Sequence, residues 1–311
     1  MILSVSRRTD IPAYYSDWFM NRLKEGFAIY RNPMNHAQLC RVELKPELVD
    51  CIVFWTKDPL PMLERIEQVD AMGFHSYFQF TITPYGLPWS TSPAFSDRMV
   101  VPQPSYGAFL EPGLRSKEAI LHTFRQLSEK LGQQRVLWRY DPIILNNELT
   151  LEYHTEMFGR LCSELSGYTK RCIISFVDRY TKLQNRWKEH VITEISPEQM
   201  HRTAAAFAKL AEPYGIELQA CCEAVDLSAD GIRSGACIDL DVIQQVCGHS
   251  MKGKKDKSQR VNCGCIQSVD IGAYNTCRNG CIYCYANHSE ASILRNCEKH
   301  DPNSPILIGT I

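Results

Sequence analysis

Short runs of β-branched and aromatic residues recur along the first two thirds of the chain, at 2–6, 51–56, 77–83, 136–141, 172–177 and 216–222. Each is bounded by polar or turn-forming residues, which predicts six strands. Amphipathic stretches fill most of the gaps between them. In the stretch from Ser116 to Leu131, Ile120, Phe124, Leu127 and Leu131 recur at helical spacing before Gly132, a natural stop. Ser196 is followed by Pro197 and, three residues on, by Gln199, the signature of a capping box with proline in the first helical position. Strand and helix alternating in this way predict an α/β fold with a parallel sheet.

The polar positions within the strands choose between two forms of that sheet. A doubly wound sheet is covered by helices on both faces and favours apolar residues on each. Here Phe78, Phe80 and Ile82 share one face of FQFTIT while Gln79, Thr81 and Thr83 share the other, and in VLWRYD the charges Arg139 and Asp141 fall at the carboxyl end. Ser6, Arg8 and Asp10, Trp55 and Lys57, Ser175 and Asp178, and Gln219 and Glu223 repeat this at the other strands. Polar groups gathered at the carboxyl ends of parallel strands predict a (β/α) barrel, incomplete at six to seven strands, with a ligand site at its mouth. The stretch from Pro84 to Pro112 holds six of the 16 prolines, and its length after the third strand predicts a substrate-covering loop.

Composition adds little until the cysteines are counted. With 311 residues, 44% hydrophobic and 22% charged, the chain reads as an ordinary globular protein. No apolar run approaches the roughly 20 residues of a membrane span and no signal core opens the chain, so a cytoplasmic protein without a membrane partner is expected. A net charge of -1 does not imply nucleic acid, and the basic run KGKKDK reads as a solvated loop. Fourteen cysteines are many for a reducing compartment, where disulfides are disfavoured. Five of them, Cys263, Cys265, Cys277, Cys281 and Cys284, fall within 22 positions, which points to metal or redox chemistry.

Cys277, Cys281 and Cys284 form C-x-x-x-C-x-x-C within NTCRNGCIYCYAN, three thiolates that suit a cubane with one iron left open. Zinc sites favour paired C-x-x-C, and bacterial ferredoxins use C-x-x-C-x-x-C. This spacing, with Tyr283 just before the last cysteine, resembles the radical S-adenosylmethionine (SAM) superfamily, and Gly280 and YAN are similar to the version in the spore photoproduct lyase group. The resemblance implies a 4Fe-4S cluster on the three cysteines, SAM on the open iron, a 5′-deoxyadenosyl radical as product of its cleavage, Tyr283 beside the adenine, and an electron donor such as flavodoxin or ferredoxin. SRRTDIPAYY, VFWTKDP, FQFTITPYG, WRYDP, SFVD and the stretch from NCGC to YCYAN also resemble, over nearly the full length, an uncharacterised bacterial domain-of-unknown-function family with this motif at its carboxyl terminus.

In the superfamily the motif follows the first strand, whereas here it follows the sixth. A circular permutation accounts for this if 268–273 forms a strand beside 2–6, with the cysteine loop after it and a helix over 286–297. The chain then divides into a partial barrel, 1–225, and a cysteine-rich segment, 226–311, that completes it and carries the cluster. The superfamily's glycine-glycine-glutamate segment is absent. On this reading Arg7, Arg8, Asp10, Lys57, Arg139, Asp141 and Glu223 line the pocket and orient SAM or substrate, with Gln79, Thr81, Ser175 and Tyr283 contacting the cofactor. Cys221, Cys222, Cys237, Cys263 and Cys265 form a second group that suits another iron–sulfur cluster or zinc. The rival reading is a non-enzymatic iron–sulfur or zinc module stapling the carboxyl-terminal segment to the barrel.

Overall fold

A computed structural model describes residues 1–86, 107–178 and 192–311. Its strands in chain order begin with β1 (Ile2–Val5) and an antiparallel hairpin of β2 (Phe27–Asn32) with β3 (Asn35–Glu43), which lies outside the main sheet. They continue with β4 (Cys51–Thr56), β5 (Ser76–Thr81), β6 (Val136–Ile143), β7 (Arg171–Phe176), β8 (Glu217–Cys221), β9 (Arg233–Gly235) and β10 (Val269–Asp270). The main sheet has eight strands in the order β10-β1-β4-β5-β6-β7-β8-β9. Every neighbouring pair in it runs parallel. All six strands expected from the sequence are present, with ends shifted by up to two residues. Among the described residues no helix is long and apolar enough to cross a membrane.

The helices form as their caps and periodicity dictate. Ser116 caps helix Lys117–Leu131 by accepting from the Ala119 amide, and Ile120, Phe124 and Leu127 are buried against the sheet. Ser196 and Gln199 form the full capping box of helix Pro197–Ala211. Between that helix, helix Leu151–Leu165 and the sheet, the rings of Trp138, Phe158 and Phe207 stack in series at 5.1 Å and 3.9 Å. Within it His154 is buried and neutral: its Nε2 lies 2.8 Å from the Ile144 carbonyl, to which it donates, while Nδ1 accepts from the Tyr140 hydroxyl at 2.7 Å.

The two faces of the sheet are covered differently. Alternate residues point to opposite faces; Leu3, Phe54, Phe78, Trp138 and Ile174 meet the helices, whereas Ile2, Val53, Tyr77, Leu137 and Ile173 meet a segment from Cys237 to Ile266. This second face is apolar at those five positions and carries buried polar side chains at Gln79, Arg139, Ser175 and Gln219. Helix Leu240–Cys247, whose Val242, Ile243 and Cys247 are buried, anchors the segment there.

The chain then returns to the first strand. Leu3 is in register with Val269 and Ser4 with Asp270, so β10 sits beside β1 as the permutation requires, although it is two residues long rather than six. Its shortness has a local cause, because the Asp270 carboxylate accepts from the hydroxyls of Ser4 and Ser6 and from the amides of Arg7 and Gly272. That cluster pulls the chain out of the ladder. The helix expected over 286–297 starts at Glu290, capped by Ser289, because Asn287 and His288 are used to bind the cysteine loop and Asn275. Beyond it, Trp18, Asn21 and Arg22 donate to the carbonyls of Ser304, Pro302 and Asn303, locking the carboxyl terminus onto the first long helix. Residues 87–106 of the expected substrate-covering loop lie outside the described residues.

Candidate functional site

Cys277, Cys281 and Cys284 lie on the loop that leaves β10 at its carboxyl end. Cys277 and Cys281 are buried and Cys284 is half-buried. The three thiols are within electrostatic range of one another. Burial holds the Cys277 thiol well above its ordinary pKa and pushes that of Cys281 up to about 12, while the Lys57 ammonium pulls Cys281 back toward the thiolate. Among the described residues no three His, Cys, Asp or Glu side chains enclose a single-ion position as they stand. None of the fourteen cysteines is in a disulfide.

Two buried anchors hold this loop. Asn279 donates to Asp10 Oδ2 at 3.2 Å and accepts from the Tyr14 hydroxyl at 2.5 Å. Asp10 also accepts from the amides of Ala13 at 3.1 Å and Lys57 at 2.8 Å, so one carboxylate ties together the first helix, the turn after β4 and the cysteine loop. Burial raises its pKa to about 6 against these three bonds. The second anchor is Glu111, a fully buried carboxylate that accepts from Lys57 Nζ at 2.8 Å, from the Thr83 hydroxyl at 2.8 Å and from the Tyr283 hydroxyl, with Lys117 Nζ at 3.8 Å. Burial acts to raise the Glu111 pKa, but the two ammonium groups and the hydrogen bonds outweigh it and keep the group ionised. Lys57 Nζ also lies 5.6 Å from the centroid of the Tyr283 ring.

The remaining predicted residues separate into three places. Arg8 donates to the carbonyls of Asp270 and Gly272 and lies over Tyr274, so it serves the β1–β10 junction. Ser175 and the Phe176 amide donate to Glu223 at 3.0 and 2.9 Å, and burial lifts the Glu223 pKa to about 7. Arg139 pairs with Asp141 and donates to Cys237 Sγ at 2.7 Å, while Gln79 donates to the Cys237 carbonyl at 2.6 Å. Arg7 and Arg139 lie over the Trp55 ring at 5.0 and 5.3 Å. Thr81 is in register with Arg139 at the end of β5. Beside the loop leading to Cys277, a cleft of about 290 Å³ is lined by Arg8, Tyr30, Gly272, Tyr274 and Asn296.

The second cysteine group also gathers. Cys221 Sγ lies 2.7 Å from Cys237 Sγ, and Cys237 with Cys265, Cys265 with Cys263, and Cys263 with Cys222 are each within hydrogen-bonding reach. Sequence reasoning missed Glu111, Asn279 and Asp270. Glu111 follows a proline-rich stretch without periodicity, so nothing local in the sequence singled it out. Residues 2–101 and 95–286 match the family described as domain of unknown function DUF1848. No curated protein and no solved structure matches the chain.

Proposed function

The chain belongs to the DUF1848 family, and from that premise and the geometry of its cysteine loop we propose a radical-SAM-like iron–sulfur enzyme on a permuted, partial (β/α) barrel. The family description assigns no activity, so the reading rests on side chains. The observation that carries it is the placement of Cys277, Cys281 and Cys284, close together and half to fully buried, at the carboxyl end of a strand paired with β1. Three soft sulfur donors on one short loop suit an iron–sulfur cluster.

In this reading the three cysteines hold a 4Fe-4S cluster. Such a cluster, when bound, supplies the electron for reductive cleavage of SAM. The chain's own residues have distinct tasks. Lys57 places a cation near Cys281 and offsets thiolate charge. Glu111 holds Lys57 and the Tyr283 hydroxyl in place, which fixes the ring immediately before Cys284. Asp10 positions the loop through Asn279. The Arg139 guanidinium is engaged by Asp141 and Cys237, so it positions those groups, and recognition of SAM falls to residues nearer the loop.

Anaerobic reconstitution with iron and sulfide, followed by an assay for 5′-deoxyadenosine with dithionite or a flavodoxin as donor, tests the proposal. Wild-type protein is expected to bind iron and form 5′-deoxyadenosine from SAM, and Cys281→Ala to lose both. Iron that does not respond to SAM, or one zinc per chain with no iron and no SAM binding, would overturn the enzyme and favour the non-enzymatic module instead.

A further inference from the structure

Five cysteines outside the C-x-x-x-C-x-x-C loop, Cys221, Cys222, Cys237, Cys263 and Cys265, come from three separate places in the sequence and meet on the sheet face covered by the 237–266 segment. Cys221 ends β8 and Cys222 follows it, Cys237 lies just past β9, and Cys263 and Cys265 belong to a later loop. Their sulfurs form a continuous series, Cys222 to Cys263 to Cys265 to Cys237 to Cys221. Cys221 Sγ and Cys237 Sγ lie 2.7 Å apart, and neither cysteine is in a disulfide. Isolated core cysteines behave as small apolar residues and have no reason to seek one another.

The backbone is shaped to bring them together. Consecutive strand residues point to opposite faces, yet Cys221 and Cys222 both reach the series. Cys222 does so at φ 63°, a left-handed conformation that non-glycine residues rarely adopt. Gly264, between Cys263 and Cys265, lies against the 235–236 backbone; a Cβ there would come within 3.4 Å of the Gly235 carbonyl oxygen and of Ala236 Cβ. The site thus holds one non-glycine residue in an awkward conformation.

Cationic donors border the sulfurs. Arg139 Nη1 donates to Cys237 Sγ at 2.7 Å, the Cys265 sulfur accepts from the Ile238 amide at 3.3 Å, and Arg7 lies within electrostatic range of Cys265 and Cys237. Arg7 Nη2 and Trp55 Nε1 are buried with no hydrogen-bond partner among the described residues. The guanidinium groups of Arg7 and Arg139 both lie over the Trp55 ring, so these two unpartnered donors belong to the same cationic patch beside the sulfurs. Buried donors are normally satisfied, and two that are not, beside a row of sulfurs, call for an anionic, acceptor-rich ligand.

We infer that Cys221, Cys237, Cys263 and Cys265, with Cys222 as an alternate fifth donor, bind a second iron–sulfur cluster. Bridging sulfides supply the acceptors that Arg7 and Trp55 lack, which a single zinc ion would not. Binding requires each ligating thiol to release its proton, and the charge so created is met by Arg7 and Arg139. This site is independent of the cluster proposed for Cys277, Cys281 and Cys284.

The test is iron and acid-labile sulfide per chain, with Mössbauer and X-ray absorption spectra, on full-length protein reconstituted anaerobically. Two double variants are compared with wild type, Cys277→Ser/Cys281→Ser and Cys237→Ser/Cys265→Ser. The first is expected to keep iron, sulfide and a thiolate-ligated cluster spectrum, and the second to lose that share alone. Arg7→Gln, which removes no ligand, is expected to keep the iron while shifting the reduction potential of the retained cluster. A folded Cys277→Ser/Cys281→Ser protein free of iron overturns the inference whatever happens at the first site. So does mononuclear zinc in place of iron. Should the Cys237→Ser/Cys265→Ser chain not fold, the iron content and sulfur ligation of the first variant decide alone.

Discussion

Replacing Lys57 by Met removes the cation that sits 2.8 Å from the Glu111 carboxylate and leaves that carboxylate in a site with no solvent access. At an effective dielectric constant near 20, two unit charges at that distance attract by about 6 kcal/mol. Lys117, 3.8 Å from the other carboxylate oxygen, stays behind and offers a partial substitute. Breaking one partner of a buried pair costs about 3–5 kcal/mol. Because Lys117 remains and the Lys57 side chain is 14% exposed, the lower end applies. About 3 kcal/mol at roughly 2 °C per kcal/mol for a chain of this size gives a fall in Tm of about 6 °C, measured by circular dichroism. Glu111→Gln leaves two buried ammonium groups without an anion, and the fall should be larger. In the double variant the amide oxygen introduced by Glu111→Gln still accepts from Thr83 and Tyr283, so the two losses should not add, with a coupling energy of about 1 kcal/mol or more. A Lys57→Met protein melting within about 1 °C of wild type would refute the claim that this pair carries the buried charge of Glu111.

Asp10→Asn keeps one carbonyl oxygen but turns an amide toward donors now bound by a carboxylate, costing about 1–3 kcal/mol; faster hydrogen exchange in the 277–287 loop checks that the effect reaches the cysteines. Arg139→Ala unpairs Asp141 and Cys237, and because Asp141 is partly exposed the expected loss is about 2 kcal/mol, read as a lower urea midpoint. Glu223 titrates near 7 in the fold against its ordinary 4.5, so its contribution is full below 4.5 and lost as pH rises through 7; Glu223→Gln should melt higher than wild type at pH 8 and equally at pH 4.5. His154 has the opposite sign, with its pKa lowered to about 4 by burial, so its contribution is present above 6.5 and lost as pH falls toward 4; His154→Asn should therefore weaken the fall in Tm on acidification from pH 6.5 to 4.

The alternation of strands and helices, the caps at Ser116 and Ser196, the six main strands and the strand beside Ile2–Val5 were all legible in the sequence, because each depends on periodicity or on residues a few positions apart. The cysteine loop was legible for the same reason, since its spacing is local. What covers the second sheet face was not. A polar residue at the end of a strand reads the same whether it faces a ligand, a neighbouring carboxylate or a returning segment of the same chain. Arg139 was expected at an open mouth and lies against Cys237, nearly a hundred residues later; Arg8 was expected to orient a ligand and holds Asp270 and Gly272. The hydrogen-bond donors to Glu111 are distant in sequence, because Lys57, Thr83 and Tyr283 come from separate connections and meet only when the sheet is assembled. Periodicity encodes which face of an element is buried, and only the packing of distant segments decides what each buried polar group pairs with.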